Sequence, residues 1–130
     1  MRIPASILIG AALVTSVVAD ARPRISPEAK LARALEGRVA GEPVDCVNLR
    51  NVRSSRVIEG TAILYETGST IYVNYPEAGR ESLNQWDALV SHPFSSRLCD
   101  VDVIKMVDLQ SQMQTGLVFL GEFVPYRKVK

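Results

Sequence analysis

A single histidine, His92, and only two cysteines, Cys46 and Cys99, stand in this sequence. Any mechanism of the Ser-His-Asp or Cys-His kind therefore has one imidazole to use. A structural zinc site wants about four ligands, and two thiols with one imidazole do not supply them. Gly-rich phosphate loops, dinucleotide fingerprints and Gly-x-Ser-x-Gly elbows are absent, so nothing here implies a cofactor. Neither charge sign is in excess: 15 Lys and Arg face 14 Asp and Glu. Without a global field to steer it onto nucleic acid or an anionic membrane, the protein has to recognise a partner locally. Apolar runs also stop short of the roughly 20 residues that a transmembrane helix needs.

The longest apolar run, Ile7 to Val18, follows Met1 and Arg2. A positive start, a short hydrophobic stretch and small-residue patterns ending at Ala19 or Ala21 match a secretory signal peptide over residues 1–21. Its removal leaves one domain of about 110 residues, with no transmembrane segment and a periplasmic or secreted location. In an exported chain an even cysteine count reads as a disulfide, here Cys46 with Cys99. Closing a loop of about fifty residues stabilises the fold by roughly 4 kcal/mol through lost chain entropy.

Residues 22–43 read as a leader segment with one short helix. Ser26 is a good N-cap, Pro27 suits the first helical position, and Glu28 complements the helix dipole. Leu31, Ala34 and Leu35 then form an apolar stripe that Gly37 ends. From Val44 to Tyr126 the pattern changes to β-branched and aromatic runs between turn formers, a single β domain, and residues 127–130 form a basic tail. The strand candidates are Val44–Leu49, Arg56–Ile58, Thr61–Glu66, Ile71–Tyr75, Leu89–His92, Val101–Val107, Leu117–Leu120 and Glu122–Tyr126. The expected fold is mainly β, a small antiparallel barrel or sandwich of about six to eight strands with a short N-terminal helix. "ETGST" (Glu66 to Thr70) predicts a hairpin, with Ile71, Val73 and Tyr75 on one face and Tyr72 and Asn74 on the other. Ser82 and Gln85 have capping-box spacing, which predicts a turn or two of helix that packs Leu83 and Trp86. Most aromatics are expected in the core.

Three features bear on function. Arg50, Arg53 and Arg56 recur every third residue, with no acid until Glu59. In a β context they read as the solvated side of a disulfide-anchored strand pair, with a turn or bulge at "RSS" and partners among Glu59, Glu66 and Asp102. No aromatic interleaves them, which argues against nucleic acid. Asp100 and Asp102 share a face if extended, an arrangement able to bind a hard cation or divide acid and base duties. The bland alternative is a half-solvated strand, or a turn capped by Asp102. His92 lies in "SHPFSS", an ordinary loop composition, and Pro93 restrains it to extended backbone.

"GRVAGEPVDCVNLRNVRSSRVIEGTAILYETGSTIYVN", "LCDVD" and "GEFVPY" resemble small exported proteins of proteobacteria, a family with a two-cysteine, mainly β domain of unknown function. The resemblance spans about Leu31 to Tyr126. It implies export and one compact domain, and it transfers no catalytic residue. The function expected is therefore a non-enzymatic binding or structural role in the cell envelope, with a protein or envelope component as partner. The alternative is a small-ligand-binding β-barrel, or a hydrolase of another type built on His92 or on Asp100 and Asp102.

Overall fold

The computed structural model describes residues 10–14, 24–93 and 95–129. Both expected cleavage points, and Phe94 among the aromatics, lie outside the described residues.

Helix α1 spans Pro27–Ala34. Ser26 caps it, its Oγ accepting the Ala29 N–H at 3.2 Å, and Gly37, at φ +72°, turns the chain away. Ten strands follow: β1 Arg38–Ala40, β2 Cys46–Asn48, β3 Ser54–Ile58, β4 Ala62–Glu66, β5 Thr70–Asn74, β6 Asp87–Val90, β7 Arg97–Cys99, β8 Val103–Asp108, β9 Gln114–Phe119 and β10 Phe123–Lys128. All pair antiparallel. A five-stranded sheet has the order β1-β10-β5-β4-β3, a three-stranded sheet β6-β8-β9, and a ribbon joins β2 to β7. The fold is mainly β and sandwich-like; the described strands close no barrel.

Two apolar cores lie on opposite faces of the large sheet. On one, Ile58, Ala62, Leu64, Ile71 and Val73 pack beneath Leu31, Ala34 and Leu35 of α1. On the other, Ile63, Tyr65 and Phe123 meet Ile104, Met106 and Val118 of the small sheet and Val47 and Leu98 of the ribbon. A strand covered on both faces loses the polar-apolar alternation, which is why β4 reads "AILY". Ile63, Leu64 and Val73 are all 0% exposed, and burying each such side chain contributes about 2 kcal/mol. The β4–β5 hairpin turns through "TGS" as expected, the Thr67 N–H donating to the Thr70 carbonyl at 2.9 Å.

Two strands carry no sequence signal. β1 lies within the expected leader segment and pairs with β10, whose register reaches Lys128 in the expected basic tail. β7 is held by Cys99, which stands directly opposite Cys46 with Cα atoms 4.0 Å apart and a disulfide between them.

The helix expected at Ser82 does not form. Only a 3-10 turn spans Arg80–Ser82. Asn84 Oδ1 then accepts the N–H groups of Trp86 and Asp87 at 3.0 and 2.9 Å, a side-chain turn that leads into β6 and competes with helix. Leu83 is buried as expected, but Trp86 is 73% exposed, and Phe119 also stands half in solvent.

Asn74 and Tyr65 are the polar groups that the core treats most differently. Asn74 is 0% exposed. Its Nδ2 donates to the Gly121 carbonyl at 2.6 Å and its Oδ1 accepts the Gly121 N–H at 3.0 Å. Tyr65 stacks edge-on against Phe123, ring centres 5.8 Å apart, and its buried hydroxyl has no partner among the described residues. Burial pushes that phenol well above the ordinary tyrosine value. Tyr65→Phe removes a desolvated hydroxyl that no hydrogen bond offsets, so its urea midpoint should rise by the equivalent of about 1 kcal/mol. A lower midpoint would show that the hydroxyl is bonded in solution.

Candidate functional site: the open edge of strand β3

β3 ends the strand order of the large sheet: it is paired with β4, and among the described residues no strand lies on its other side. How the chain enters β3 sets the position of the arginines. The disulfide-pinned ribbon leads into a 3-10 turn at Leu49–Asn51. The turn closes on its own Val52 N–H to Leu49 carbonyl bond; in addition, the Leu49 N–H donates to the Ser96 carbonyl at 2.8 Å, and Asn48 Oδ1 accepts the Arg50 N–H at 3.0 Å. The Arg53 N–H then donates to the Glu66 carbonyl at 2.7 Å, although Glu66 is already the register partner of Ser54. From Ser54↔Glu66 to Ile58↔Ala62 the pairing with β4 runs without a register shift, so Ser54 and Ser55 of "RSS" lie in regular strand rather than in the turn or bulge expected there.

The three arginines do not form one patch. Arg50 and Arg53 line a groove with Asn51 and the Thr67–Ser69 turn, beyond the Ser54 end of β3. Arg56 lines a different groove of about 520 Å³, whose floor is Ser55–Glu59. One wall of this second groove is Lys30, Arg33 and Ala34 of α1; the other is Gln85 and Asp87 at the start of β6. It continues along α1 past Lys30 and Gln85 to Arg24, Ile25 and the exposed Trp86. Sequence reasoning missed Lys30 and Arg33, although their three-residue spacing on a helix was the available signal.

Three acids are engaged by neighbouring groups. Glu66 Oε2 accepts from Ser54 Oγ at 2.6 Å. Asp87 Oδ2 accepts from Asn84 Nδ2 at 3.0 Å and from the Thr115 hydroxyl. The Asp102 carboxylate accepts the Cys99 N–H at 2.7 Å, capping a turn in which the Asp102 N–H donates to the Cys99 carbonyl at 3.0 Å. Of the partners expected for the arginines, Glu66 holds Ser54 and Asp102 caps the Cys99 turn, whereas Glu59 lines the same groove as Arg56.

The other candidates are dispersed. The turn at Asp100 and Val101 replaces the alternating strand expected there, which begins only at Val103, and Val101 is 84% exposed. Asp100 is tied through its N–H to the Asp45 carbonyl at 2.8 Å. His92, Asp102 and Lys105 do line one shallow groove, which Asp100 does not reach. Ser95, nearby in sequence, spends its hydroxyl accepting the Arg97 N–H at 3.2 Å. Among the described residues no three His, Cys, Asp or Glu side chains gather where they could hold a metal ion. No helix among them is long and apolar enough to cross a membrane. Compared with family models, with curated proteins and with solved structures, the chain matches none.

Proposed function

We propose that the protein is an exported, non-enzymatic binding domain that takes an extended anionic segment of an envelope protein onto the free edge of β3. The observation that carries this reading is a sheet edge that no described strand pairs, with Arg50 and Arg53 beyond one end and Arg56, Lys30 and Arg33 along the other. Strand addition supplies affinity through main-chain hydrogen bonds, and flanking grooves supply selectivity through side chains. The cations are exposed, so each ion pair adds only about 0–1 kcal/mol. Binding should consequently be modest and weaken with salt. Export is supported by the Cys46–Cys99 bond, which oxidising compartments preserve.

A fluorescent peptide of Val and Thr carrying two Asp, followed by anisotropy, tests the reading. Arg56→Glu combined with Lys30→Glu reverses charge on the α1 side of the edge, and both side chains lie outside the two cores. The double variant should weaken binding at least about tenfold, and 0.5 M salt should have a similar effect on the parent protein, given the screening of exposed charges. Equal binding by parent and variant would sink the proposal.

A further inference from the structure

Resting on the strand-addition reading, we infer that the segment taken by β3 carries two carboxylates three residues apart, with no acid between them. One carboxylate meets Arg50 and Arg53, and the other meets Arg56 with Lys30 and Arg33. The spacing follows from chain geometry. Arg53 and Arg56 are three residues apart along an extended chain, which corresponds to about 10 Å. Their side chains line separate grooves. A partner strand lying alongside advances at the same rate, so acids at i and i+3 reach one groove each in either strand direction. Adjacent acids lie only about 3 Å apart along the axis and can satisfy one groove at most.

Charge on the floor of the site sets the intervening positions. Ser54 and Ser55, between the two arginines, are exposed, and the Ser54 hydroxyl holds the Glu66 carboxylate at 2.6 Å. The Ser54 hydroxyl is therefore already spent on Glu66, and Ser55 offers no charge to pair an acid placed over the two. Short polar residues fit there. Past Arg56 the groove passes Glu59 and Asp87, which oppose a third acid, and then reaches Trp86 and Ile25, both exposed. Beyond its second carboxylate the partner is therefore apolar or basic.

The experiment uses the full disulfide-bonded chain and three peptides with the same Val, Thr and Ser background. One carries Asp at i and i+3, one carries two adjacent Asp, and one has Asn in place of both. Affinity is measured by calorimetry, and amide exchange of Ser54–Ile58 is followed by NMR with each peptide. The spaced peptide should bind up to about fivefold more tightly than the adjacent one, the gain that one additional exposed ion pair gives. Arg53→Gln and Arg56→Gln should each erase that advantage. Equal affinity of the spaced and adjacent peptides, with Ser54–Ile58 protected by both, overturns the spacing and leaves strand addition standing. An advantage that survives either substitution overturns it too. If no peptide protects Ser54–Ile58, strand addition itself fails.

Discussion

Replacing Cys46 and Cys99 by serine should lower the stability of the protein by roughly 4 kcal/mol, the loop-closure entropy that the bond withholds from the unfolded chain. The cysteines are 53 residues apart, so the unfolded loop they close is long. The folded side of the balance makes the loss harder to absorb. β2 and β7 have three residues each and, among the described strands, pair with one another alone, and an isolated two-stranded ribbon is at best marginal in water. Yet Val47 and Leu98, the middle residues of those strands, are 4% and 1% exposed in the larger core. Once the bond is gone, the ribbon can separate and take two core side chains with it. Against the 5–15 kcal/mol typical of such domains, a loss of this size is severe. Urea unfolding of the double variant, compared with the oxidised parent, measures it directly. An unchanged midpoint would mean that the ribbon holds without its covalent link.

Asn74→Ala should be nearly as damaging, costing about 3 kcal/mol, because it strands two buried backbone groups as well as opening a small void. Asn74 reproduces with its amide the pair of hydrogen bonds that a neighbouring strand would make to Gly121. Gly121 cannot move away to find water. A Cβ built there would stand 2.5 Å from the Tyr75 carbonyl, so the backbone is already in close approach at that point. A melting temperature lower by more than about 10 °C is expected for a domain of this size. Asn74→Asp tests the same contact from the other side. It keeps an acceptor for the Gly121 N–H but turns the donor into an oxygen facing the Gly121 carbonyl, and should be no more stable than the alanine variant. Small shifts in both variants would show that Gly121 is satisfied by other means.

What could be read in the residues divides along local and non-local lines. Ser26, Pro27 and Gly37 act within a few positions of themselves, and the helix they predict is present with its cap. "ETGST" is likewise a local instruction, and two cysteines leave one possible pairing. Ser82 and Gln85 failed because Asn84, between them, had a competing local use for its side chain. β7 was invisible because its reason for existing is Cys46, far away in sequence. The arginine triplet shows the same limit. Spacing could not say that Arg53, just ahead of β3, and Arg56, on the floor of a helix-walled groove, would send their guanidiniums to different places. Lys30 and Arg33 became part of that arrangement only when α1 packed over β3.

The strand order also imposes a timetable. β10, the last of the described strands to be made, lies between β1 and β5 near the other end of the chain. Until it arrives, β5 has β4 on one side and an open ladder on the other, and β1 has no neighbour at all. Made in chain order, this sheet waits for the position beside its edge strand β1 to be filled from the C-terminal side. Such long-range closure makes for slow folding. The interval in which β5 is bare, an apolar edge open to other chains, is when the protein is most exposed to aggregation and most in need of a holding partner.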